Sequence, residues 1–454
     1  MSIISRLVAL GEIEQGKIGD NNLSNYLPIR SKKNVLNYDT VAGNVLGLLI
    51  GKKLHGFDQN EFEEACLDEL SSKLSDTEIL DHFKNIYFQN NALLKVSPEF
   101  LLLGRQGSES KASGHLSEIF RNFLAQQDHR CEIKSKANFI EKIFWEKMQR
   151  YLKPVKQEAS NVGPYLPYIS DLFAKDIRFL SSKSEYLLSH LESFLELYNF
   201  IYCSQLALNI RNFKFDIPEK RPLYFILDTE KASQERTHIQ DDGYQHLFSS
   251  FGAVFPTLSM LENINKAGKD GKKGRVVPLW QYTQALESEG ALNEHSSDNV
   301  AEAIECFANN FQEKRKIKSR AAVESTPKDQ LTRLFQYALD QFEIKQYDAD
   351  ASRHEIRDAY QKQFVEHIGK HFIQNRGRSG RVLVINQDFL LLLTNIAIGD
   401  NRQLRFQELL QEFRQRGVYF DKQSEQALVA FYERVGNVDR MSDSGDAVYV
   451  RSTI

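Results

Sequence analysis

Leu404-Arg-Phe-Gln-Glu-Leu-Leu-Gln-Glu-Phe-Arg-Gln-Arg416, Gly417, Val418-Tyr-Phe-Asp421 and Lys422-Gln-Ser-Glu-Gln-Ala-Leu-Val-Ala-Phe-Tyr-Glu-Arg-Val435 form the most informative run of the chain. Phe406, Leu409, Leu410 and Phe413 fall at i, i+3, i+4 and i+7, one apolar stripe of a helix, and Gly417 supplies a left-handed stop. Leu428, Phe431, Tyr432 and Val435 repeat the spacing after a four-residue link. Two helices joined by a short turn containing glycine carry the helix-turn-helix signature. Val438–Met441 and Ala447–Arg451 then read as two short strands around the Gly/Asp-rich turn Ser442–Asp446, a hairpin in the position of a wing. With Arg381–Ile385 as a strand and Phe389–Ala397 as a buried helix ahead of them, residues 381–454 are expected to form a winged helix.

Working outward, helical periodicity dominates. Ile79, Phe83, Ile86 and Tyr87 predict a helix over 75–89 capped by Ser75 or Asp76. Leu116, Ile119, Phe120 and Phe123 predict another, and Phe139, Ile143, Phe144 and Met148 a third. Pro154, Gly163, Pro164 and Pro167 then interrupt the chain, because proline cannot sit inside a continuous helix. Beyond them a long helix is expected from about Glu185 to Asn212, and Pro222–Asp228 and Val276–Trp280 read as isolated strands. Lys266–Arg275, with three glycines and five cations, reads as a mobile loop. Asp298–Arg320 and a segment opening at Thr326-Pro327 read as helices. The expectation is a mostly α, multi-domain protein with a few short strands: a helical domain over 1–153, a central helical domain with short strands over 168–320, and a C-terminal region over 326–454.

The 454 residues hold 58 Lys+Arg and 61 Asp+Glu, a formal charge of −3, so binding driven by bulk positive charge is excluded and any nucleic-acid contact must come from local patches. A hydrophobic share of 41% supports real cores and excludes global disorder. Cys66, Cys131, Cys203 and Cys306 share no CxxC spacing, and the opening Met1–Leu10 has no basic n-region or cleavage site. Val41–Ile50 and Phe389–Ile398 are too short to span a bilayer. A cytoplasmic protein without membrane contact is expected.

Catalytic signatures are sparse. Gly47-Leu-Leu-Ile-Gly51-Lys52-Lys53 is one residue short of a P-loop and puts Lys53 where a magnesium-binding Ser/Thr belongs. Glu132-Ile-Lys134 and Glu343-Ile-Lys345 have the Glu-x-Lys form used by metal-dependent nucleases, but the second is placed inside an amphipathic helix and neither follows a strand carrying Asp. His367 and His371, at i, i+4 on one helix face, lack a third metal ligand nearby. No metal, cofactor or catalytic residue is assigned.

Basic patches remain. Residues 311–320 carry Lys314, Arg315, Lys316, Lys318 and Arg320 against one Glu. Residues 366–381 carry Lys370, Arg376, Arg378 and Arg381 against one Glu, the last three in the flexible loop Asn375-Arg-Gly-Arg-Ser-Gly-Arg381. Arginines on glycine hinges reach phosphates. Residues 381–454 are near neutral, nine cations against ten acids, and the expected recognition helix balances Lys422 and Arg434 against Glu425 and Glu433. DNA contact is assigned to Lys370, Arg376, Arg378 and Arg381, with help from Lys314–Arg320, Lys422, Arg434 and the wing residues Arg440 and Arg451.

Arg416-Gly-Val-Tyr-Phe-Asp421, Leu428-Val-Ala-Phe-Tyr-Glu433, Gly436-Asn437 and Met441-Ser-Asp-Ser-Gly-Asp-Ala-Val-Tyr-Val450 resemble the closing segment of DptG, the G subunit of the bacterial restriction module dependent on DNA phosphorothioation. The resemblance implies action with an F subunit and an H subunit, which in that family carry the nucleotide-hydrolysing and translocase-like motifs, against double-stranded DNA lacking the sulfur modification. It carries over no catalytic residue. The expected function is a non-catalytic DNA-binding adaptor; the rivals are a scaffold without DNA contact and a divergent nuclease using Glu132/Lys134 or Glu343/Lys345.

Overall fold

Leu223-Tyr-Phe-Ile-Leu227 is aromatic and branched, bounded by Pro222 and Asp228, and buried along most of its length, the pattern of an interior strand rather than an edge. In the computed structural model of the chain it is the third of nine strands among the described residues: β1 Lys52–Leu54, β2 Leu152–Pro154, β3 Leu223–Leu227, β4 Ile373–Asn375, β5 Arg381–Ile385, β6 Gln403–Arg405, β7 Val418–Phe420, β8 Val438–Arg440 and β9 Val448–Arg451. The structure describes residues 2–74, 79–106, 110–125, 130–131, 133, 137–155, 160–210, 217–232, 236–267, 275–288, 295–321, 324, 326–347, 352–440 and 448–454. The cap expected at Ser75 or Asp76, most of the loop 266–275, Glu132, Lys134, Asn212 and the turn Ser442–Asp446 fall outside them. Helix takes 63% of the chain and strand 9%, a mostly α class with small sheets.

These strands form three sheets. β1 and β2 make an antiparallel pair, so Lys52 and Lys53 of the P-loop-like stretch are strand residues facing Pro154 and Lys153. The four-stranded sheet has the order β4-β5-β3-β7, with β5 and β7 parallel to β3 and β4 antiparallel to β5. The third, β6-β9-β8, is antiparallel.

One face of the β3 sheet joins the main core, which runs without interruption from Ile4 to Val450. The other holds Ile226, Val382 and Val384 against Ile239. Sequence-distant segments meet in this core: the helix Ile3–Leu10 packs on the helices Ser297–Arg315 and Leu279–Glu287, and β3 takes its neighbours from beyond residue 380.

The helix Ser184–Ile210 is the axis. Its sequence predicts one apolar face, yet from Phe194 to Ile210 every residue is buried. Most of its polar members are bonded rather than solvated, the buried Ser204 hydroxyl being an exception. Asn199 donates to the Tyr38 hydroxyl at 3.0 Å, and Gln205 bonds both the carbonyl and the amide of Arg221 at 2.8 Å. Gly417, at φ +77°, approaches the Gln205 side chain so closely that a Cβ would overlap it, which makes glycine obligatory there.

Arg416, just before it, is 0% exposed and so is its partner Asp176. The guanidinium donates to both carboxylate oxygens at 2.7–2.9 Å, the Tyr198 hydroxyl donates to Asp176, and Arg416 also reaches the Glu412 carbonyl at 2.8 Å.

Three local expectations are corrected. Val276–Trp280 makes only a single bridge, Val162 to Val276, before a helix begins at Leu279. The helix expected over 298–320 spans Ser297–Arg315 and stops at Lys316, which is left-handed at φ +50°. The link Val418–Asp421 supplies β7, because long-range pairing with β3 overrides a local loop. No helix among the described residues is long and apolar enough to cross a membrane.

Removing one member of a buried pair leaves a naked charge, so Arg416→Ala or Asp176→Ala is expected to cost about 3–5 kcal/mol. Replacing both with apolar residues of similar size should recover most of that loss; urea midpoints of the three variants check it.

Candidate nucleic-acid interface

The basic run at 314–320 acquires a defined shape because the helix Ser297–Arg315 ends in a reversal. Left-handed Lys316 turns the chain so that Ile317 bridges Tyr347 and the Lys318 amide bonds the Gln346 carbonyl at 2.8 Å. This lays 316–318 beside 345–347 and adds Lys345 to the cations of the helix end. Lys318 donates its ammonium to the Lys345 carbonyl at 2.7 Å, a neutral acceptor that leaves its charge uncompensated. Lys314 and Lys316 are exposed and have no partner among the described residues.

Two half-buried arginines lie underneath. Arg315 donates to the Gly19 carbonyl at 2.6 Å, and Arg353, on the helix Arg353–Gln363, donates to the Arg315 carbonyl at 2.8 Å while stacking over the Tyr347 ring at 4.5 Å. Among the described residues neither guanidinium meets a carboxylate within 4 Å. Burial pulls Arg315 below its ordinary value; burial, with the Arg315 charge beside it, does the same to Arg353. Asp20 opposes this at Arg315 from beyond ion-pair distance, and cations held partly out of water without a close counter-charge raise the local positive potential.

The other candidates are placed differently. Arg320 is committed to a bidentate pair with Asp340 at 2.6–2.7 Å. Lys370 pairs with the buried Glu196 at 3.0 Å. The glycine loop expected to be flexible is the tight turn between β4 and β5, closed by the Arg376 amide on the Gly380 carbonyl at 2.7 Å, with Gly377 and Gly380 at positive φ.

That turn is tied down on the sheet. Arg376 donates to the Asp228 carbonyl, Ser379 to the Ala232 carbonyl at 3.0 Å, and Arg381 to the Tyr244 hydroxyl at 3.1 Å. Arg378 alone of the three arginines is exposed with no partner among the described residues. In the last residues Lys422 pairs with Glu425 at 3.1 Å and Arg451 with Asp439 at 3.3 Å, while Arg434 is exposed over the Phe431 ring. Arg440 lies in β8.

The structure therefore brings Lys314, Arg315, Lys316 and Lys318 together and adds Lys345 and Arg353, which a reading by local charge runs missed; neither sits in a basic run. The Glu343-Ile-Lys345 stretch lies in the 3-10 turn beyond the helix Pro327–Asp340 rather than inside a helix, and Glu343 is engaged by Arg357 at 2.5 Å. His371 lies past the end of the helical segment that holds His367 and sits 3.5 Å from Glu196, so the two imidazoles do not share a helix face. Among the described residues no group of His, Cys, Asp and Glu has metal-holding geometry.

A second charged cluster, at the carboxyl ends of β3 and β7, was also missed. Arg236 donates to Asp421 at 2.6–2.7 Å, to Glu230 at 3.0 Å and to the fully buried Ser424 at 2.7 Å. It fastens β3 to the helix Lys422–Arg434, which Asp421 caps. No protein-family model matches this chain, and no curated protein matches it.

Burial raises the Asp421 carboxyl, but the Arg236 guanidinium and the Ser424 amide outweigh it and hold the group below its ordinary value. A carboxylate depressed in the fold stabilises at pH above its unfolded value of about 3.9 and loses that contribution as pH falls through the folded value. Asp421→Asn is therefore expected to be less stable than the parent at neutral pH and to converge with it in acid, read from denaturant midpoints across pH 2–7.

Proposed function

We propose that this chain is a non-catalytic, DNA-contacting adaptor of a bacterial cytoplasmic restriction complex that attacks DNA lacking phosphorothioate modification. It would act beside the F and H subunits that its resemblance to DptG implies. The observation that carries DNA contact is the pair of half-buried guanidiniums, Arg315 and Arg353, ringed by Lys314, Lys316, Lys318 and Lys345, with no carboxylate among the described residues within ion-pair distance of either arginine. A polyanion relieves both their mutual repulsion and their desolvation, and each neutralised phosphate releases counterions.

The C-terminal residues support the winged-helix part of the reading through their order. The helix Gln387–Ile398, β6, the helices Phe406–Gln415 and Lys422–Arg434 on either side of β7, and then β8 and β9 follow in order, with β9 between β6 and β8 while β7 joins β3. The pairing of Lys422 with Glu425 and of Arg451 with Asp439 favours protein contact for this module, so the F or H subunit is its proposed partner and DNA belongs to the basic face.

Fluorescence anisotropy with a duplex, phosphorothioated or not, titrated from low to physiological salt, tests this. Log affinity should fall linearly with log salt, and Arg315→Ala with Arg353→Ala should flatten the slope by about 0.9 for each phosphate that the variant no longer neutralises. Absence of binding at low salt, or a slope unchanged in the double variant, assigns the chain to the scaffold reading.

A further inference from the structure

Away from the basic face, a cavity of about 260 Å³ opens between the start of the helix Tyr38–Leu49 and the aromatic packing of residues 57–88. Phe57, Phe62, Tyr87 and Phe88 form its wall, locked to one another and to neighbours at ring separations of 5.2–6.1 Å. Its rim is polar, and among the described residues its single charged group is Asp39, with no cation in the lining. The Asp39 carboxylate has no hydrogen-bond or ion-pair partner among the described residues.

The place of Asp39 is fixed by backbone. Thr40 donates its hydroxyl to the Gly104 carbonyl at 3.1 Å, and Gly104 lies so close to the Asp39 carbonyl that any Cβ there would overlap it. Asn91, left-handed at φ +58°, shares with Asp39 and Leu94 the partition toward a second cavity of about 550 Å³, whose charged lining is Asp39, Glu192 and Lys95.

Two partly exposed rings, Phe57 and Tyr87, backed by the buried Phe62 and Phe88, and one exposed carboxylate with no partner and no cation beside it in this lining among the described residues are complementary to a positive charge on an apolar body. Ring quadrupoles attract the charge, and the carboxylate supplies the ion pair. We propose that this cavity binds an organic cation, an ammonium group on an alkyl body, with its head against Asp39 and its carbons against Phe57 and Tyr87. In the adjoining cavity burial, then Glu196 and Asp39, push the Glu192 carboxyl upward against the opposing charge of Lys370. The site is independent of DNA contact by the basic face.

The cation is either a free small molecule or a lysine side chain of a partner protein, and two probes separate these sources. Calorimetry of the full chain would use choline for the first and an N-acetylated lysine amide for the second. Its uncharged control is 3,3-dimethyl-1-butanol, which has the shape of choline without the charge. Saturable binding of either cation, weakened about tenfold or more by Asp39→Asn and absent for the neutral analogue, is the expected result. Preference for one cation identifies the source. No saturable binding of either, equal binding of the neutral analogue, or affinity unchanged in Asp39→Asn overturns the proposal. The choline-against-alcohol comparison on the parent protein stands even if a variant fails to fold.

Discussion

Arg416 and Asp176 carry the greatest constraint in this chain, because both charges have been taken wholly out of water. Such a pair is a poor source of net stability, since desolvation offsets most of the Coulomb attraction, but it tolerates only one arrangement. Tyr198 and the Glu412 carbonyl complete the shell, so the helices Pro167–Ser181, Ser184–Ile210 and Phe406–Gln415 are fixed on one another at a single point. The next residue, Gly417, is pressed on Gln205, and the one after it begins β7. The pair therefore sets where β7 meets β3, and with it the register of the sheet to which the terminal helices attach.

Much of this architecture is written in local patterns, and its joints are not. The stripes Phe406/Leu409/Leu410/Phe413 and Leu428/Phe431/Tyr432 mark their helices because burial on one side imposes a 3.6-residue period. Arg381–Ile385 and Pro222–Asp228 are legible as strands for the corresponding reason. Val418–Phe420 is not, since three residues between helices carry no period and become a strand only by meeting β3, nearly two hundred residues earlier. The ion pair itself is invisible to any local reading: Arg416 looks like a surface cation beside a glycine, and nothing near Asp176 announces its partner 240 positions away.

The same distinction governs the candidate site. Counting cations along the sequence locates charge but not its availability. Arg320, Lys370 and Arg451 look as basic in sequence as Arg315, yet each is paired with an acid brought up by the fold, while Lys422 meets Glu425 within its own helix. Arg376 and Arg381 serve as donors that pin the β4–β5 turn, although that sequence reads as a flexible reach toward phosphate. Arg353 sits in no basic run and escapes such a count altogether, while in the fold it lies beside Arg315 with no carboxylate among the described residues within 4 Å.

Arg315 and Arg353 hold their places by donating to backbone carbonyls, Gly19 and Arg315 respectively, and this ties the basic face to folding. The carbonyl partners fix geometry without cancelling charge, so the two guanidiniums stay oriented, and among the described residues no carboxylate comes within 4 Å of either. Three parts of the chain, near residues 19, 315 and 353, must be docked for that arrangement to exist. An anion seated there is bound by the folded state alone, and by mass action it stabilises the junction in proportion to its own affinity. Repulsion between the two arginines weakens the empty junction, and a phosphate between them would offset it by pairing with each.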